Sequence, residues 1–202
     1  NFVESNFIFF YHIFFTFTYI KITLNAFRVD PVSNYLWSLT NPTDYLPGKD
    51  FIEYIVHIFG YHLSLSYYSV SIIFGLFGSI GFLIFYSLIK KQLNNNLIIN
   101  KIILILFFML PSFHLWTSGI GKDSLIFLSL SLAYFWMNTK NKNIIFLGLI
   151  LFLIFMIRPH LAIILAPSLV LFLLILKTTP KIIKLSILIL SSLYILYALP
   201  VG

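Results

Sequence analysis

Apolar residues fall in long runs interrupted by short polar breaks, and the runs show neither strict alternation nor one polar face. Seven segments stand out, at roughly 7–26, 70–89, 102–117, 124–138, 144–157, 161–176 and 183–199. A soluble helix keeps a polar stripe for water, whereas runs apolar on every side belong in lipid or in a large core. Crossing ~30 Å of hydrocarbon takes ~20 residues at ~1.5 Å each. Several of these segments are shorter, and 124–138 and 144–157 are the weakest, so either could be re-entrant. Tight connections make 102–117 with 124–138, and 144–157 with 161–176, helical hairpins. The pattern predicts an all-α polytopic membrane protein of about seven spans. The 202 residues read as a single transmembrane domain and as a fragment, since the chain starts at Asn1 and stops at Gly202 after an apolar run.

Composition turns that pattern into an exclusion. Apolar residues make up 60% of the chain and charged residues 9%, with a mean hydropathy of +0.99, against ~25% charged residues in soluble domains. Nineteen charged side chains, 13 basic and 6 acidic, cannot cover a soluble protein of this size. With no cysteine, disulfides, thiolate metal sites and cysteine nucleophiles are excluded. The net charge of +7 does not point to nucleic acid, because the cations lie singly or in pairs between apolar runs, as topology signals do.

Sidedness follows from those cations. With alternating spans and the N-terminus inside, the inner loops hold eight lysines: Lys90, Lys91, Lys101, Lys140, Lys142, Lys177, Lys181 and Lys184. The other five cations, Lys21, Arg28, Lys49, Lys122 and Arg158, fall outside. The positive-inside rule favours this orientation and predicts a multi-pass membrane protein with its N-terminus inside. Five of the six acids then gather outside (Asp30, Asp44, Asp50, Glu53 and Asp123), together with His57, His62, His114 and His160. Acid/base and phosphate chemistry is thus expected at one membrane face.

Residues 27–69 form the one long polar connection. Apolar positions at 51, 52, 55, 58 and 59 predict an amphipathic interfacial helix, with Asp50 as its N-cap and Gly60 as its stop. Asp44 fits a turn, and Asp30 fits either a solvated flank beside Arg28 or a functional acid. Further along, Gly119 and Gly121 suit close approach or unusual dihedrals. Asp123 and Ser124 then open a helix whose amide groups could meet an anion, although capping alone would explain Asp123. Pro111 is expected to kink the preceding span. Arg158-Pro159-His160 sits at a hairpin tip, where arginine either snorkels or holds an anionic group. Gly75, Gly78 and Gly81 predict close helix packing, and His12 a buried, hydrogen-bonded side chain. No Walker loop, dinucleotide fingerprint, HExxH or Gly-x-Ser-x-Gly motif is present.

Asp30 with Tyr35, the run from Pro111 to Lys122-Asp123-Ser124-Leu125, and Ile157-Arg158-Pro159 together resemble a known pattern. It is that of the GT-C glycosyltransferases, in particular the bacterial transferases of the dolichyl-phosphate-mannose and aminoarabinose type. That family's paired acidic motif is represented here by Asp30-Pro31. The resemblance implies sugar transfer from a polyprenyl-phosphate donor to an envelope glycan, lipid or protein acceptor. It implies Asp30 as general base and Asp123 as its assistant or as holder of a divalent cation. Lys122, Arg158 and His160 would hold the departing phosphate, with His114, Glu53 and Tyr35 completing the substrate site. No other cofactor is implied, and the partners would be lipid-linked sugar, acceptor and membrane lipid. An envelope polysaccharide polymerase or ligase is an alternative, as are a transporter or flippase and a structural membrane subunit.

Overall fold

The computed structural model describes residues 2–26, 30–40, 45–93, 98–140 and 143–175. The expected span at 183–199 lies outside them. Among the described residues every regular element is helical. In chain order these are α1 (Phe2–Asn25), α2 (Asp30–Thr40), α3 (Lys49–His57), α4 (Tyr67–Gln92), α5 (Ile98–Phe108), α6 (Pro111–Trp116), α7 (Lys122–Asn138), α8 (Ile144–Ile157) and α9 (Pro159–Ile175). A π-turn, Ile58–His62, continues α3.

Among the described residues two helices are long and apolar enough to cross a membrane, Val3–Asn25 and Tyr67–Gln92. The segment expected at 102–117 is broken, because α5 ends at Phe108 and α6 starts afresh at Pro111. Proline lacks an amide hydrogen and crowds the preceding turn, but it suits the first position of a new helix. The helices α7 and α8 have 17 and 14 residues, short of the ~20 that cross a full bilayer.

The long helices follow from local chemistry. No glycine or proline interrupts α1, and its threonines turn their hydroxyls onto the preceding turn. Thr16 donates to the His12 carbonyl at 3.2 Å, Thr18 to Phe14 at 3.0 Å and Thr23 to Tyr19 at 3.0 Å. Ser129 and Ser131 do the same on α7, donating to Leu125 and Phe127 at 2.8 Å. Such back-bonding satisfies a hydroxyl where no water is at hand. Ser66 caps α4 by accepting from the Ser69 amide at 3.3 Å. Lys90 and Lys91 stand in its last turn, where cations oppose the negative end of the helix dipole.

Packing is sequential: α4 lies against α1 and α7, α7 against α8, and α8 against α9. The stripe Gly75, Gly78 and Gly81 sets the distances, as its spacing suggests. A Cβ on Gly75 would meet Thr16 of α1, one on Gly78 the Thr117 carbonyl and the His12 ring, and one on Gly81 the α7 backbone at Leu128. Trp136 of α7 is fully buried and its indole donates to the Asn143 carbonyl at 2.8 Å. Across one end of the row, α2, α3 and the π-turn form a cap, tied to α8 by the Gly48 amide donating to the Met156 carbonyl at 2.7 Å. At the opposite end Glu4 pairs with Lys90 and accepts from the Tyr86 hydroxyl, and Gln92 donates to Asn138 at 2.7 Å.

The cap departs from expectation in two places. Its helix starts at Lys49 after Gly48, so Asp50 occupies the first turn without capping it. Gly60 does not stop the helix; it sits inside the π-turn, where a Cβ would come within 3.2 Å of Leu39 and Tyr35 of α2. Close packing on α2, not helix termination, accounts for that glycine. Gly48 has φ 106°, a region L side chains avoid, so Gly48→Ala is expected to cost about 1 kcal/mol or more. Denaturation of the full chain in detergent would measure it.

The surface of α1 inverts the usual order. Val3, Phe7, Phe10, Phe14 and Phe17 are exposed, each more than half, and their spacing puts them on one helix face. The opposite face carries Ile8, His12, Thr16, Ile20 and Thr23, all buried. Phenylalanines outside and histidine with threonines inside is the arrangement a lipid surround selects.

Candidate functional site

The cap end collects most of the residues singled out above, and it does so through helix termini. α7 starts there, α8 ends there and α9 begins there. The N-cap position of α7 is Gly121, with no side-chain cap, so Lys122 and Asp123 are its first helical residues. The expected capping role of Asp123 is therefore not found. Its carboxylate instead pairs with Arg158, the residue that closes α8. Pro159 then opens α9 at the position where proline is best tolerated.

The pair joins residues 35 positions apart and suits both helix ends: a carboxylate at an N-terminus and a guanidinium at a C-terminus each oppose the local dipole. Both side chains stay partly open, Arg158 at 34% and Asp123 at 43% exposure. Exposed pairs contribute only ~0–1 kcal/mol to stability, so stability is a weak reason for these residue types. A guanidinium has five N–H donors in a planar fork. Arg158 can therefore engage Asp123 and still present donors to an anion.

Asp30 is the first residue of α2 and is exposed. Tyr19 of α1 feels the charges of both Asp30 and Asp123. Tyr19 also lies over Gly119, where any Cβ would overlap its ring at 1.9 Å. Gly119 thus serves close approach, as expected, whereas Gly121 does not. Its φ of 168° is ordinary extended backbone, and a Cβ there would meet open space. Lys122 is half-buried and His160, second residue of α9, is exposed. These two flank the Asp123–Arg158 pair in sequence.

Three of the expected site residues are held inside the fold. Tyr35 donates its hydroxyl to the Leu65 carbonyl at 2.8 Å and meets the Tyr67 ring edge-on, tying α2 to the start of α4. Glu53 is buried on α3. Lys49 Nζ stands 3.1 Å from its Oε1, in ion-pair range but outside hydrogen-bond geometry. His114 has no exposed surface. It faces His12, with the two Nδ1 atoms 3.0 Å apart. Ser118, at a hairpin tip by sequence, is also fully buried, under Gly75 and beside His12.

Tyr19 and Ser118 were not among the expected site residues. For Tyr19 the signal was available, since residues 12, 16, 19 and 23 of α1 carry polar groups at helical spacing. Among the described residues no group of three or more His, Asp or Glu side chains converges to hold a metal ion. No family model, no curated protein and no solved structure matches the chain.

Proposed function

We propose that the chain is a multi-pass membrane glycosyltransferase that takes its sugar from a polyprenyl-phosphate donor at the outer face of a bacterial inner membrane. The observation that supports this reading best is the grouping at the cap end. An open carboxylate, Asp30, and a guanidinium–carboxylate pair, Arg158 with Asp123, gather around Tyr19 where the long helices end. Transfer from a lipid phosphate needs these groups at a membrane surface. Asp30 takes the proton from the acceptor hydroxyl as its oxygen bonds to the anomeric carbon. The bond from that carbon to the phosphate oxygen breaks, and the polyprenyl phosphate leaves with the electron pair. Arg158, with Lys122 and His160 beside it, stabilises the charge that builds on the phosphate. A divalent cation held by Asp123 belongs to the resemblance alone, and the steps above use side chains only.

In this reading the N-terminus is cytoplasmic and the shorter helices α7, α8 and α9 also lie within the membrane. The exposed aromatic face of α1 supports the lipid surround, and Lys90 and Lys91 in the last turn of α4, away from the cap, support the orientation. Ser118 is too buried to report sidedness, but Leu46 before the cap helix is 53% exposed. A membrane-impermeant thiol reagent is expected to label Leu46→Cys in intact cells; labelling only after lysis would overturn the orientation. The activity itself is tested with purified full chain in lipid nanodiscs. Sugar is expected to move from a polyprenyl-phosphate donor to a glycan acceptor with release of polyprenyl phosphate. Transfer from a soluble nucleotide-sugar instead, or none from either, would sink the proposal.

A transporter is the second reading, and one observation favours it: the buried histidine pair between α1 and α6. Ionisable groups within spans are costly and usually belong to a transport pathway or proton relay.

A further inference from the structure

Between two apolar clusters, one around Ile20, Phe74 and Ile120 and the other around Ile8, Phe82 and Phe108, lies a layer of buried polar groups. It contains His12 and Thr16 from α1, His114 from α6, and Thr117 and Ser118 from the loop toward α7. None of these groups takes part in the sugar-transfer chemistry above. We propose that His12 and His114 form a proton-binding site inside the bundle, taking up one proton shared between their Nδ1 atoms. The inference is independent of the glycosyltransferase reading.

Hydrogen-bond accounting carries the argument. A carbonyl can only accept, so His114 Nε2, 2.6 Å from the Phe108 carbonyl, keeps its hydrogen and donates. A neutral His114 therefore turns a lone pair toward His12 from Nδ1, at 3.0 Å. The carbonyls of Gly75 and Thr117 face the His12 ring. Ser118 stands 3.5 Å from His12 Nε2, but its hydroxyl hydrogen goes to the His114 carbonyl at 2.5 Å. If neutral His12 keeps its hydrogen on Nε2 for those carbonyls, two Nδ1 lone pairs oppose each other. If the hydrogen moves to Nδ1, Nε2 is left buried among acceptors without a donor.

Each neutral arrangement leaves at least one buried group unmet, a cost of ~1–3 kcal/mol per group. One added proton closes the set. His114 Nε2–H then donates to the Phe108 carbonyl, His12 Nε2–H faces the Gly75 and Thr117 carbonyls, and a single Nδ1–H bridges the rings at a distance normal for a nitrogen donor. The positive charge is shared by two imidazoles, and aromatic faces surround it. Phe82 stacks on His114 at 4.1 Å between centroids and 9° between planes, while Tyr11 and Phe15 lie at 4.9 and 5.9 Å.

The other titratable side chain against the pair is Tyr11 of α1, whose hydroxyl donates to the Met109 carbonyl at 3.0 Å. From α4 the facing residues are Gly75, Gly78 and Phe82. Among the described residues, the charge-bearing group that acts on His12 is His114. With no carboxylate to fix it, the proton is exchangeable: hydrogen bonding and the aromatic faces favour it, and removal from water opposes it. The pair sits beside the loop that runs from α6 to Lys122 and Asp123 at the start of α7.

The test uses the full chain in nanodiscs with 15N-labelled histidine, titrated from about pH 8 to about pH 4, the range around an ordinary imidazole. The expected result is uptake of one proton by the pair. Both Nδ1 resonances should move together at one pH while both Nε2 stay protonated, and His12→Gln should abolish that joint transition. Separate transitions of the two rings, or no uptake across the range, would overturn the proposal. So would stoichiometric displacement of both Nδ1 resonances by Zn2+ at fixed pH, which would make the pair a metal site. Should His12→Gln fail to fold, the wild-type titration decides alone, with His57, His62 and His160 as internal references.

Discussion

Asp30→Asn is expected to lower sugar transfer by ~10²- to 10⁴-fold, the usual contribution of a positioned general base, while leaving insertion and thermal stability unchanged. Asp30 is exposed at the start of α2, so the amide changes no buried packing. The loss should appear in the transfer rate and not in donor binding, because the carboxylate acts on the acceptor proton. Undiminished transfer by Asp30→Asn would remove the residue from the chemistry. Exchanging the charges, Asp123→Arg with Arg158→Asp, separates the pair's two roles. An ion pair that only staples α7 to α8 survives the exchange, and transfer survives with it. A phosphate-binding Arg158 does not, because a carboxylate then faces the leaving group, so folded but inactive protein is the expected outcome.

The second large effect concerns packing. Gly75→Ala with Gly78→Ala is expected to destabilise the bundle by about 3 kcal/mol or more, since overfilling a packed contact costs ~1–3 kcal/mol per site. The Cβ at Gly78 would lie 2.2 Å from the Thr117 carbonyl, a backbone atom that cannot swing aside. At Gly75 it would lie 2.4 Å from Thr16 Oγ1, a short side chain with little room to yield. Gly148→Ala in α8 is the control. A Cβ there meets nothing within 4 Å, so the better helix former should stabilise by up to ~1 kcal/mol. Thermal unfolding of the three proteins in one detergent would compare them, and a tolerated Gly75/Gly78 double variant would mean that α4 can move away from α1 and the hairpin.

These two predictions stand on different levels of the sequence. The glycine stripe was legible directly, because i, i+3 spacing of small residues in an apolar helix serves close approach. Asp30, Asp123 and Arg158 were legible as a set, through the distribution of lysines along the chain. Their partners were not. Nothing in the spacing of Asp123 and Arg158 says that they touch; that follows from α7 and α8 packing antiparallel with their ends level. Similarly, Ser118 reads as an exposed hairpin tip until the α4 glycines allow that loop to sink against them.

The sequence by itself determined the all-helical class, the two long apolar helices α1 and α4, and the glycine stripe that lets α4 approach its neighbours. These are local properties: side-chain volume and backbone freedom. Only the tertiary structure decided that Asp123 meets Arg158, that Ser118 is buried beneath Gly75, and that His114 turns inward to His12. Hydrogen-bond satisfaction away from water made those choices. It is a three-dimensional condition, met by groups whose positions along the chain carry no trace of one another.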